Sequence, residues 1–179
     1  MIAQATVRLP DVTAQLVTAL EAVWTAIREQ HPEVPSVVVT LGAGSGNRGG
    51  LKLGHFANQR WHVEGEDTDR DELFIGGEGL ERGPEGVLAT MLHEAAHGIA
   101  TTRGIKDTSR QGRYHNTKFK AIAEELGLKV GKDERIGWSL TELTEDTAED
   151  YGILLDVLGQ ALALTDQTLA YRLRELISE

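Results

Sequence analysis

At 179 residues the chain is long enough for one domain with a real core and too short for two full ones. It contains no cysteine, which excludes disulfides, thiol nucleophiles, iron–sulfur clusters and Cys-ligated zinc, so any metal site must be built from His, Asp, Glu and water. A formal charge of −10 at pH 7 argues against a whole-surface affinity for nucleic acid.

Met1 to Pro10 lacks a charged start followed by an apolar run, and no stretch approaches the ~20 apolar residues of a membrane span. A cytoplasmic protein without membrane association is therefore expected. Asp11 can cap a first helix in which Val12, Leu16, Leu20, Val23, Trp24 and Ile27 form one apolar stripe, stopped by His31-Pro32. Ser36 to Leu41 is a β-branched run suited to a buried strand. The glycine-rich Gly42 to Gly50 follows it without the Gly-Lys-Ser/Thr of a phosphate loop, and Leu51 to Phe56 resumes as a strand, so the glycines are expected to form a flexible hairpin connection.

Arg60 to Glu64 reads as a further short strand, and Glu72 to Gly76 as another after the acidic turn at Gly65 to Asp69. His55 and His62 fall on these strands and are expected to be structural or surface residues. If the last strand lies at a sheet edge, it can accept an extended peptide by main-chain pairing, which makes Leu73, Phe74 and Ile75 candidate substrate-binding residues.

Gly83-Pro84 sets a helix start, with Glu85 in the first turn. Val87, Leu88, Met91, Leu92, Ala95, Ala96 and Ile99 then recur at helical spacing and would bury most of this helix. On it lies His93-Glu94-Ala95-Ala96-His97. Histidines at i and i+4 stand one turn apart on one face, so both rings can reach one metal ion, and Glu94 projects from nearly the same side. This is the H-E-x-x-H pattern of zinc hydrolases, in which the metal lowers the pKa of a water toward ~7 and the Glu takes its proton. The bland alternative is a pair of core histidines satisfied by hydrogen bonds.

A catalytic zinc usually has three protein ligands. The metzincin continuation fails, because its Gly and His positions hold Ala100 and Arg103 and no Met follows. His115 is the only histidine left on the C-terminal side, just ahead of an amphipathic helix that Asn116 can cap and Gly127 can end. Glu124 or Glu125 on that helix is the competing third ligand. Tyr114 can donate a hydrogen bond to a developing oxyanion or simply pack as an aromatic. Half of the 18 Lys and Arg residues lie between Arg103 and Arg135, as either a basic face beside the site or a solvated surface, whereas the tail is acidic. Ser139 onward reads as a loop and then one or two helices, with Thr144 as a cap, an apolar stripe from Tyr151 to Ile177, and Gly159 as a permitted break.

His93-Glu94-Ala95-Ala96-His97, together with His115-Asn116-Thr117-Lys118-Phe119 and the preceding Arg110 to Tyr114, resembles the SprT-like family of zinc metallopeptidases, which includes the Spartan proteases acting on DNA–protein crosslinks. The resemblance spans roughly Val37 to Val130 and is specific in its two motif blocks, with bacterial and phage-borne members looking most similar. It implies a zincin-like α+β fold, with His93, His97 and His115 as ligands of one catalytic Zn2+ and Glu94 as general base. The family often has Gly where Asn116 stands, and many members continue into a Cys-rich zinc ribbon that this cysteine-free sequence lacks.

Together these readings predict an α+β fold with a small, mainly antiparallel or mixed sheet packed on the N-terminal helix and the metal helix. Residues 1–135 would form the peptidase domain and 136–179 an acidic helical extension. The expected function is a zinc-dependent endopeptidase acting on polypeptides, with DNA-associated proteins as candidate targets. The alternatives are a catalytically silent metal-binding interaction module and a gluzincin-like peptidase with a Glu third ligand.

Overall fold

The computed structural model describes residues 12–43, 53–65 and 67–163. The expected cap at Asp11, the glycine-rich connection from 44 and the apolar run beyond 163 lie outside these residues.

Helix α1, Val12–Gln30, forms where the apolar stripe predicts it and buries Leu16, Leu20, Val23, Trp24 and Ile27. Its Trp24 indole N–H donates to the Pro35 carbonyl at 3.0 Å, tying the helix to the chain entering the first sheet. That sheet is mixed: β1 (Val37–Gly42) runs parallel to β3 (Arg70–Gly76), and β2 (Gly54–Trp61) runs antiparallel to it on the other side. Two of the expected strands are thus one. β2 runs through to Trp61, taking up an irregularity between Ala57 and Trp61 where Gln59 adopts φ of 50°.

The order β1-β3-β2 corrects the expected edge. β3 is central and paired on both sides, and Leu73 and Ile75 are fully buried, so Leu73, Phe74 and Ile75 cannot take up a peptide by main-chain pairing. Among the described residues the edge strands of this sheet are β1 and β2. His55 lies opposite Phe74 with their rings stacked at 4.9 Å, and its Nε2 meets Glu72 at 3.1 Å; His62 is exposed and paired with Asp69.

After the short α2 (Gly77–Leu80), α3 (Gly83–Thr102) crosses the core with Pro84 in its first turn. Gly98 on α3 has no Cβ because Pro35 lies against it, which lets helix and sheet approach closely. The second sheet, also mixed, has the order β4-β5-β7-β6 and comprises β4 (Thr108–Ser109), β5 (Tyr114–His115), β6 (Leu128–Asp133) and β7 (Gly137–Leu143). Helix α4 (Thr117–Glu125) joins β5 to β6 and buries Phe119, Ile122 and Ala123. The protein is therefore α+β. Ser139 to Leu143, expected as loop, is strand, and the expected boundary at 135/136 falls in the β6–β7 turn.

Thr144 caps α5 (Glu145–Asp150) by accepting the Thr147 N–H, as its sequence position predicts. The helix breaks at Tyr151 rather than at Gly159, and residues 152–163 are helical again. Tyr151 is 2% exposed and its hydroxyl has no hydrogen-bond partner among the described residues. Burial pushes that phenol up to about 12. Because the buried hydroxyl contributes only a desolvation cost, Tyr151→Phe is expected to leave urea stability unchanged or raise it by up to ~1 kcal/mol.

Candidate metal centre

Helix α3 carries His93 and His97 one turn apart, and β5 brings His115 to meet them. His115 Nε2 lies 3.3 Å from His93 Nε2 and 3.1 Å from His97 Nε2. These are the only His, Asp or Glu groups among the described residues that converge closely enough to hold a metal ion. A tetrahedral zinc with Zn–N of about 2.0–2.1 Å would set its nitrogens about 3.3–3.4 Å apart, so the spacing fits such an ion. Three imidazoles with an open fourth position form a donor set suited to zinc.

Each ring is also held from behind. His93 Nδ1 meets Thr141 Oγ1 at 3.2 Å on β7, His97 Nδ1 meets Asp107 Oδ2 at 2.5 Å, and His115 Nδ1–H donates to the Ile136 carbonyl at 3.1 Å. With every Nδ1 engaged by an oxygen, the Nε2 atoms are left to face one point, which is how ligand imidazoles are oriented in metal sites. The Phe119 ring lies 4.5 to 4.7 Å from all three imidazoles and backs the cluster with packing.

Electrostatics favour neutral rings at two of the three. Burial and the neighbouring imidazoles hold His93 well below the usual range, with a further contribution from the Arg82 charge. Burial and His97 lower His115 in the same direction. At His97 burial also pulls down, but the Asp107 hydrogen bond and the charges of Glu94 and Asp107 outweigh it and raise the ring. Glu94 is 6% exposed and faces the same cleft.

Local structure explains the placement of His115. The Ile136 carbonyl accepts both its backbone N–H, at 2.9 Å, and its ring N–H. Asn116 caps α4 by accepting the Lys118 and Phe119 N–H groups, while its own side chain and backbone N–H hold Lys106 and Asp107. Gly137, opposite His115 in the sheet, adopts φ of +76°, and a Cβ there would overlap the His115 carbonyl oxygen. Gly137→Ala is expected to displace His115 and weaken zinc binding by roughly 10–100-fold in competition with a chromogenic chelator.

The cluster opens into a cleft of about 1130 Å³. One wall is the edge of β2, from Leu53 to Asn58; the other is the β6–β7 turn and β7, where Ile136 and Leu140 stand exposed. Ser139 lies in this wall, its buried hydroxyl without a hydrogen-bond partner among the described residues.

Tyr114 does not line this cleft. It precedes His115 on a strand, where successive side chains face opposite ways, and its ring lies under Arg110 at 4.7 Å, so the packing role is the one seen. Glu124 and Glu125 are engaged elsewhere, with Lys120 and Arg103 respectively, and neither joins the cluster. Of the basic segment, Arg113 and Arg135 line the cleft, while Lys120 and Lys132 stand over Trp138 away from it. Sequence reasoning missed Asp107, Thr141 and Ile136. A backbone carbonyl leaves no residue signature, and Asp107 and Thr141 are 10 and 48 residues from the rings they hold. Comparison of the chain with protein-family models, with curated proteins and with solved structures found no match to any of them.

Proposed function

We propose that this chain is a zinc-dependent endopeptidase of the SprT-like type. The observation that carries the reading is the convergence of three separately anchored Nε2 atoms beside a buried carboxylate on the helix that carries two of them. His93, His97 and His115 would hold the ion. Zinc, when bound, supplies a Lewis acid that polarises a carbonyl and acidifies a water.

The protein's own groups do the rest. Glu94 takes a proton from the attacking water onto a carboxylate oxygen and returns it to the leaving amine nitrogen. Its carboxylate is 6% exposed and lines the same cleft as the three imidazoles. The edge strand β2 binds an extended polypeptide through main-chain hydrogen bonds, which gives grip without strong sequence preference. DNA-associated proteins enter as substrates through the family resemblance alone. No helix among the described residues is long and apolar enough to cross a membrane.

Zinc content of the purified protein tests the reading directly. Near-stoichiometric zinc is expected in the wild type and its loss in His115→Ala, with casein digestion by the wild type only. Wild-type protein purified without chelator and free of zinc would overturn the proposal, and zinc retained in His115→Ala would remove His115 from the ligand set.

A further inference from the structure

The arginines of this chain divide by what they meet. Arg103 bridges Glu33 and Glu125, Arg60 meets Glu72, and Arg110 covers the Tyr114 ring. Arg82, Arg113 and Arg135 line the cleft, and none of them forms an ion pair among the described residues. Three carboxylates, Glu94, Asp107 and Glu142, line the same cleft, so its recognition chemistry depends on where each guanidinium is held rather than on net charge.

Arg82 is also built into position. It precedes α3, and a Cβ on Gly86 would overlap the Arg82 side chain, so the glycine lets that stem lie along the first turn. Arg82 Nη1 donates to Thr90 Oγ1 at 3.2 Å, and Thr90, 7% exposed, donates in turn to the Gly86 carbonyl at 2.9 Å. One donor is used by this contact; the remaining guanidinium N–H groups keep the planar fork that matches a carboxylate. Thr90 stands three and four residues before His93 and Glu94, which at 1.5 Å per residue is about 4.5–6 Å along the helix. An extended polypeptide advances about 3.3 Å per residue, so the guanidinium lies one or two residues away from a carbonyl held at the histidines.

We propose that the cleft selects polypeptide segments bearing an acidic side chain one or two residues from the bond to be cut, and that Arg82, held by Gly86 and Thr90, is the residue that reads it. The register rests on the peptidase reading, whereas the binding preference does not. Nucleic acid fits the cleft less well. Its affinity comes from neutralising a row of phosphates and stacking bases on aromatics, but Glu94 and Glu142 interrupt the cations here, and Phe56 is the one Phe, Tyr or Trp in the lining.

The test measures binding by fluorescence anisotropy to full-length, zinc-loaded Glu94→Gln protein. Dye-labelled peptides differing only in Asp/Glu, Asn/Gln or Lys at the read positions serve as probes. The acidic peptide is expected to bind ~10-fold tighter than its amide twin. Adding Arg82→Gln should erase most of that preference, Arg82→Lys should keep part of it, and Arg82→Glu should shift it toward the Lys peptide. Equal affinity for the twins, or a preference unchanged by Arg82→Gln, overturns the proposal, as does a single-stranded oligonucleotide that displaces the acidic peptide at lower concentration than the peptide itself. A parallel arm follows cleavage of the same peptides by protein with Glu94 intact, where kcat/KM should rank them in the same order. No cleavage of any peptide overturns the peptidase reading and leaves the binding preference to decide the role of Arg82.

Discussion

Glu94→Gln is expected to lower kcat for casein or peptide hydrolysis by about 10²–10⁴-fold while leaving fold and zinc content unchanged. The amide is nearly isosteric and suits a position that is 6% exposed, so packing around α3 is preserved. What it cannot do is accept a proton. None of the three histidines can replace it, because each is engaged at Nδ1 by an oxygen and presents Nε2 to the shared point. The measurement pairs metal content by mass spectrometry with turnover on the same preparation. Activity within tenfold of wild type would remove Glu94 from the chemistry and favour a water activated by other means.

Phe119→Ala is expected to destabilise the protein by about 3–5 kcal/mol, the usual cost of emptying an aromatic site in a core. Phe119 is fully buried, and its ring touches all three imidazoles. The variant should therefore also bind zinc more weakly, because the rings lose the surface that limits their tilt. Phe119→Leu should recover much of the stability and less of the affinity, since a branched aliphatic side chain fills volume without offering a flat face. Urea unfolding of the metal-free protein and chelator competition separate the two effects. A stability loss with unchanged zinc affinity would make the ring ordinary core.

Features set by neighbours along the chain were legible from sequence. The two-histidine helix, the Asn116 and Thr144 caps and the α1 stripe all depend on residues within a turn or two of each other. Strand order was not. β3 reads as an edge strand in isolation, and only its pairing with both β1 and β2 makes it central. β7 was unreadable for a different reason: Leu140 is 53% exposed in the cleft wall while the neighbouring Ser139 hydroxyl is buried, so polarity runs against burial there. The candidate ligands could be found because histidine is rare and its spacing is informative. Their supports could not, because a threonine, an aspartate and a carbonyl oxygen far along the chain look like any others.

The dependence of His115 on Ile136 and Gly137, and of His93 on Thr141, sets an order of events during synthesis. Helix α3 carries two of the three imidazoles early, yet nothing can fix the third until the β6–β7 hairpin has emerged and closed. A nascent chain that stops short of Leu143 carries the whole H-E-x-x-H stretch without a seat for the third ring. The candidate metal centre is therefore incomplete while the chain is being translated, and its three imidazoles can meet only when the last strand of the second sheet is laid in place.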